Sequence, residues 1–219
     1  MRLDIKICGL KTPDALAAAL DAGASHVGFI FFARSPRHVT PEQAGRLRAA
    51  ARGRARAVAV TVDADDAALD AIVRQMAPDM LQLHGRETPE RVAAVRARYG
   101  LPVMKALAVR EAADLERAAA YRGVAERMLF DAKAPAGSAL PGGNGVAFDW
   151  SLLAALPPDA DYLLSGGLDA ANVAEALATA RPSGLDVSSG VERAPGDKDP
   201  ALIGRFFEAV REAAARSAA

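Results

Sequence analysis

Ile5-Lys6-Ile7-Cys8-Gly9-Leu10, with Thr12-Pro13 close behind it, sets the pattern that the rest of the chain repeats. The apolar run reads as a short buried strand that ends at the only cysteine of the protein. Thr12 is placed to cap a helix, and Pro13 takes its first position, where a missing N–H costs nothing. That helix runs to about Ala22, and Gly23 ends it. His26 to Phe31 is the next apolar run. After the loop Ala33 to His38, Thr40-Pro41-Glu42-Gln43 restarts a helix that reaches about Arg52, with Gln43 placed to close a capping box.

The alternation continues to the far end. Strands are expected at Arg56–Val62, Met80–Leu83, Pro102–Ala108, Arg127–Phe130, Tyr162–Ser165 and Leu185–Val187. Helices are expected at Asp65–Met76, from Thr88-Pro89 to about Tyr99, at Glu111–Tyr121, at Ser151–Ala155, from the cap Asp169 to Ala180, and from Asp199-Pro200 to a tail near Ala219. Strands separated by helices pair in parallel, and eight such units allow the sheet to close. The fold class expected is α/β, a single-domain (β/α)8 TIM barrel with a parallel sheet spanning residues 1–219. A doubly wound open sheet is the alternative.

Composition narrows the function. Of 219 residues, 51% are hydrophobic, enough for a sizeable core, and 27 basic residues balance 27 acidic ones. That balance favours neither nucleic acid nor a membrane surface as partner. A single cysteine makes no intramolecular disulfide and suits a reducing compartment, so a cytoplasmic location is expected. No secretory signal and no membrane-spanning run is read in the sequence. Three histidines and one cysteine, scattered, have no metal-ligand spacing, so no metal is expected.

In a closed barrel the loops after the strands build the site. Polar residues and glycines gather there: Cys8-Gly9, Phe32 to Arg37, Asp63, His84-Gly85, Lys105, Asp131, Ser165-Gly166-Gly167 and Ser188-Ser189-Gly190. The last two loops are where such barrels usually hold phosphate. Glycine lets backbone N–H groups approach an anion, and serine hydroxyls add donors. The alternative is that Gly166, Gly167 and Gly190 serve tight turns only. Asp131, at the end of an apolar strand, is a candidate acid, or else a cap or a partner of Lys133. Cys8 is a candidate base, or else a small buried hydrophobe. Arg37 offers a fork for a carboxylate, or is one more solvated arginine. His84 reads as a structural donor facing the pocket. Asp131 to Ala147, rich in Gly and Pro, reads as a lid or a mobile surface loop.

As a set these motifs resemble the phosphoribosylanthranilate isomerase family of tryptophan biosynthesis. The pieces that carry the resemblance are Lys6-Ile7-Cys8-Gly9, Val27 to Phe31 with Ser35-Pro36-Arg37, Leu81-Gln82-Leu83-His84-Gly85, Phe130-Asp131, and Gly142-Gly143 through Phe148-Asp149-Trp150. Leu164-Ser165-Gly166-Gly167-Leu168 and Asp186 to Glu192 with Gly196-Asp197-Lys198-Asp199 complete it, in the family's order. The resemblance implies an Amadori rearrangement of N-(5-phospho-β-D-ribosyl)anthranilate to 1-(2-carboxyphenylamino)-1-deoxy-D-ribulose 5-phosphate. It places the general base on Cys8, the general acid on Asp131 and the carboxylate-binding arginine on Arg37. The phosphate loops fall on Gly166, Gly167, Ser188, Ser189 and Gly190, and Asp186 stands at the same rim. No cofactor is implied, and the partner is a small phosphorylated aminosugar, bound by a monomer or a homodimer. One departure is Val146, where members of the family often carry lysine.

Two other readings share these loops. A histidine-pathway aminoaldose isomerase or an indole-forming lyase is also a sugar-phosphate barrel, but the pairing of Cys8 with Asp131 argues against both. A non-catalytic phosphate-binding barrel would keep the last two loops and leave Cys8 and Asp131 incidental.

Overall fold

The computed structural model describes residues 3–132, 147–157 and 159–218. Eight parallel strands close into a barrel in chain order: β1 (Asp4–Cys8), β2 (His26–Phe31), β3 (Arg56–Thr61), β4 (Met80–Leu83), β5 (Val103–Val109), β6 (Arg127–Ala132), β7 (Tyr162–Leu164) and β8 (Gly184–Val187). β1 pairs with both β2 and β8, which is the closure. Helices α1 (Pro13–Ala22), α2 (Pro41–Ala51), α3 (Asp66–Met76), α4 (Pro89–Tyr99), α5 (Ala112–Glu116), α6 (Val173–Ala180) and α7 (Pro200–Ala218) lie between and after the strands.

The Thr-Pro starts behave as the spacing predicts. Thr12, Thr40 and Thr88 each accept from the backbone N–H three residues on, and the proline follows in the first turn. Asp65 caps α3 in the same way, and Gly23 closes α1 at φ 101°. Gln43 does not close a capping box. Its amide donates instead to Lys11 O at 3.1 Å, which ties α2 to the loop after β1.

Three elements differ from expectation. Residues Glu111–Tyr121 are not one helix: α5 stops at Glu116, and Arg117–Tyr121 is a 3₁₀ turn with no buried residue. Tyr121 pins that turn by donating to Glu87 O at 2.9 Å and lying 5.9 Å from Lys105 Nζ. The expected helix at Ser151–Ala155 is a 3₁₀ turn, Trp150–Ala155, started by Asp149. A hairpin, β9 (Glu192–Ala194) and β10 (Asp197–Lys198), stands between β8 and α7, where none is expected. Of the segment Asp131 to Ala147 read as a lid, Asp131 and Ala132 end β6, and residues 133–146, Val146 among them, lie outside those described.

Side-chain alternation divides the core in two. Inside the barrel, Cys8, Val58, Val60, Met80, Met104, Ala106, Leu129 and Leu163 pack together. Between barrel and helices lies the larger layer, with Ile7, Phe29, Leu81, Phe130 and Phe206 buried within it. Lys105 belongs to the outer layer and not to the mouth. It is buried behind the sheet, where it donates to Glu87 at 3.0 Å and to the carbonyls of Leu83, Gly85 and Ala106.

Candidate active site

One cavity opens at the carboxyl ends of the strands. Cys8, Arg37, His84, Asp131, Gly166, Gly167, Asp186, Ser188 and Ser189 all line it. Ile30, Phe32, Val60, Val62 and Leu168 form its apolar wall. Of the residues given a catalytic or binding role, only Gly190 is not on the lining; Gly9, Asp63, Gly85 and Lys105, which also follow or end strands, are not on it either. Gly190 sits in the 3₁₀ turn Ser189–Val191 after β8, and a Cβ there would lie 1.9 Å from Leu168 O. A side chain at that position would force the loops after β7 and β8 apart.

The loop after β7 is equally tight. Gly166 has φ 91°, and a Cβ on it would meet Ala132 N at 2.5 Å and Asp131 Oδ1 at 3.0 Å. Gly167 follows at φ 65°. Two successive left-handed glycines turn the backbone sharply at the end of a strand, an arrangement that lets amides converge on an anion.

Asp131 lies within β6, one residue past the expected strand end, and is 3% exposed. Its Oδ1 accepts from Ala132 N at 2.9 Å, and its Oδ2 lies 3.2 Å from His84 Nε2. His84 Nδ1 in turn lies 3.0 Å from the Gln82 amide nitrogen. With Gln82 donating, Nε2 carries the imidazole proton and donates to the carboxylate. Among the described residues, the buried Gln82 Oε1 has no hydrogen-bond partner. Turned over, the same amide would accept from Nδ1–H and leave Nε2 free to accept from a protonated Asp131. The chain Gln82–His84–Asp131 therefore fits either protonation state of the acid.

Across the cavity, Cys8 is 5% exposed and ends β1. Ser188 donates to Cys8 O at 3.1 Å, and Lys198 donates to Ser188 O at 3.0 Å, so the hairpin β9–β10 buttresses the carboxyl end of β1. Lys6, on the same face of β1, forms an ion pair with Asp186 at 2.7 Å, and Ser165 donates to the other oxygen of Asp186 at 3.3 Å. Burial raises the thiol of Cys8 above its ordinary pKa, Lys6 opposes that, and Asp186 adds to it.

Arg37 is 3% exposed, so it is not a solvated arginine. Its Nε and Nη2 donate to the two oxygens of Glu192, each at 2.8 Å. Glu192 also accepts from Lys198, whose ammonium is pushed down to about 8, by burial first, against the pull of Glu192. Burial works against the carboxylate of Glu192, but Arg37 and Lys198 win and lower its pKa.

Lys6, Glu192 and Lys198 stand within the sequence motifs, where none of them is a candidate for a role. Alternation along β1 was the signal for Lys6, because a residue two before Cys8 shares its face. For the hairpin, Pro195-Gly196 was the signal, a turn pair with Gly196 at φ 82°.

Among the described residues, no group of three or more His, Cys, Asp and Glu side chains is arranged to hold a metal, and no helix is long and apolar enough to cross a membrane.

Comparison with known proteins bears on this cavity. The family described as N-(5′-phosphoribosyl)anthranilate (PRA) isomerase matches residues 5–209. The N-(5′-phosphoribosyl)anthranilate isomerase of Brucella canis is 68% identical over 216 residues, which is 99% of this chain and 97% of that protein. Monomers generated from the dimeric phosphoribosylanthranilate isomerase of Thermotoga maritima superpose with a TM-score of 0.83 at 32% identity, covering 96% of this chain and 100% of that one. A phosphoribosyl anthranilate isomerase in complex with reduced 1-(o-carboxyphenylamino)-1-deoxyribulose 5-phosphate superposes with a TM-score of 0.84 at 31% identity, with the same coverage.

Proposed function

Because the chain belongs to the N-(5′-phosphoribosyl)anthranilate isomerase family and is an isomerase of tryptophan biosynthesis, we propose that Cys8 and Asp131 carry its proton transfers, Cys8 as base and Asp131 as acid. The observation that supports this most is that both side chains line one cavity together with the paired-glycine loop after β7, which adjoins Asp131, and the serine loop after β8, which adjoins Cys8. The substrate is a small phosphorylated molecule, and these two loops are where its phosphate would bind.

The reaction then opens with two proton transfers. Protonated Asp131 gives its proton to the ribose ring oxygen, the C1′–O bond breaks, and the nitrogen lone pair forms a Schiff base. The Cys8 thiolate takes the C2′ proton, and the C2′–H electrons move to make an enolamine. In the tautomerisation to the C2′ ketone the enol oxygen gives up its proton and C1′ takes one from water, while Cys8 releases its proton to water and Asp131 takes one back, so that substrate and enzyme both balance. Each general acid or base step is typically worth about 100- to 10,000-fold. His84 holds Asp131 in place and exchanges hydrogen-bond polarity with it as the acid loses its proton. Arg37, fixed by Glu192, faces the anthranilate carboxylate, and the apolar wall of Ile30, Phe32, Val60 and Val62 takes the aromatic ring.

We further propose that the chain works as one barrel domain in the cytoplasm, as a monomer or a homodimer, with neither nucleic acid nor membrane as a partner.

Turnover of N-(5-phosphoribosyl)anthranilate, followed by its loss of fluorescence in the presence of a metal chelator, tests this directly. Wild type should consume the substrate, and Asp131→Ala should lower kcat at least about 100-fold. A purified, folded Asp131→Ala protein with near-normal turnover would reject the role of the acid. No turnover by wild type would favour a phosphate-binding barrel.

A further inference from the structure

Lys6 has 0% exposure and lies deep in the barrel below Cys8, two residues earlier on β1, so alternation puts both side chains on the inner face. Its ammonium is held by Asp186 of β8 at 2.7 Å. On the other side of β1, Cys8 pairs with Gly28 of β2. A Cβ on Gly28 would lie 3.1 Å from Cys8 Sγ and 3.1 Å from Lys6 Nζ. The thiol and the ammonium share the space that this glycine leaves open. Two atoms each that near one point stand no more than about 6 Å apart, within the range at which a cation favours ionisation of an acid.

Resting on Cys8 as the base, we propose that Lys6 is the positioning residue that makes it one, by supplying the counter-charge of the thiolate from inside the barrel. Asp186 is the tether: it neutralises Lys6 while the thiol is protonated and shares the ammonium once the thiolate forms. A buried ion pair is a weak source of stability, because apolar residues of similar volume often serve as well or better. Here the interior around it is apolar, with Val58, Val60 and Met104 close-packed, and a thiol at that boundary would stay protonated without a nearby cation. Other charges face the same pair. Lys198 on β10 and Arg37 after β2 sit on the side of Cys8, and His26 on β2 lies near Lys6. Of these, Lys6 gives the strongest pull on the thiol, against burial and Asp186.

The chain has one cysteine, so alkylation by iodoacetamide reports on Cys8 alone. The rate measured against pH on the purified full chain gives the apparent pKa of the thiol. Lys6→Met should raise it by about one to three units, which slows alkylation at neutral pH at least about tenfold. Asp186→Asn should lower it, because the ammonium then has no competing carboxylate. Damage to packing would not move the two variants in opposite directions. A folded Lys6→Met protein with the wild-type value, or two variants shifted the same way, overturns the inference. If Lys6→Met does not fold, Asp186→Asn decides alone: a lower value supports the inference, and an equal or higher one rejects it. The rising limb of kcat/KM should follow the alkylation shift in Lys6→Met. Alkylation that shifts while kcat/KM does not would leave Lys6 as the tuner of the thiol and remove Cys8 as the base.

Discussion

At the scale of single residues, the absence of a side chain matters as much as its presence. A methyl group at position 28 would crowd Cys8 Sγ and Lys6 Nζ at 3.1 Å each, closer than most real contacts, so one of them would have to move by a few tenths of an ångström. Gly28→Ala should fold and lose about tenfold in kcat with KM little changed, since small misplacements of a reacting group are costly. Steady-state kinetics on that variant checks it, and an unchanged kcat would show that the spacing has slack. Gly190→Ala is a harsher change, because the new Cβ meets backbone, Leu168 O, at 1.9 Å. Here KM should rise at least about tenfold through the phosphate loops, with a larger effect on substrate binding than on the chemical step. A KM equal to wild type would detach those loops from the phosphate. Glycines 166, 167 and 190 were legible in the sequence as a pattern, but the reason 166 and 190 must be glycine lies in contacts with segments distant in the chain, while 167 is held to glycine by its positive φ.

At the scale of elements, local chemistry was the most legible part. Threonine before proline opens three helices and makes the expected hydrogen bond each time, because a cap is decided by neighbours in sequence. What sequence reading missed was decided across the fold. Gln43 had a local partner available and took Lys11 O instead. Lys105 follows β4 residues that make the mouth, yet its place in β5 turns it outward to Glu87. The hairpin β9–β10 carries Glu192 and Lys198, and through them it fixes both Arg37 and Ser188. Glu192→Gln should leave the cations of Arg37 and Lys198 without their shared counter-charge. KM should then rise at least about tenfold with a smaller change in kcat, and stability should fall by about 3 kcal/mol or more, as for other broken buried pairs. Substrate titration and urea unfolding measure the two effects. Loss of stability with KM unchanged would make the hairpin a structural brace without a part in binding.

At the scale of the molecule, the barrel was legible because eight strand-helix units leave few other ways to close a parallel sheet. The 3₁₀ turns Arg117–Tyr121 and Trp150–Ala155, which stand where helix is expected, were not, since short alanine-rich segments read as helix by propensity alone. His26, the first residue of β2, brings a pH dependence of its own. Burial is the main cause that lowers the pKa of His26 from 6.5 to about 4. The unfolded chain therefore takes up a proton that the folded barrel refuses between those values. Stability should be constant above pH 6.5 in this respect and fall as pH drops toward 4, by roughly 3 kcal/mol at most. His26→Gln should flatten that slope in urea titrations, and an equally steep slope in the variant would place the cause elsewhere. Catalysis has the opposite sign of origin but the same direction. Because burial raises the thiol of Cys8, kcat/KM should climb with pH as the thiolate forms.

The turnover of Cys8→Ala on substrate carrying hydrogen or deuterium at C2′ tests the central claim most directly. With the sulfur gone, proton removal from C2′ should become limiting, with kcat down at least about 100-fold and a clear primary isotope effect. A folded Cys8→Ala protein that turns over near the wild-type rate would contradict the account.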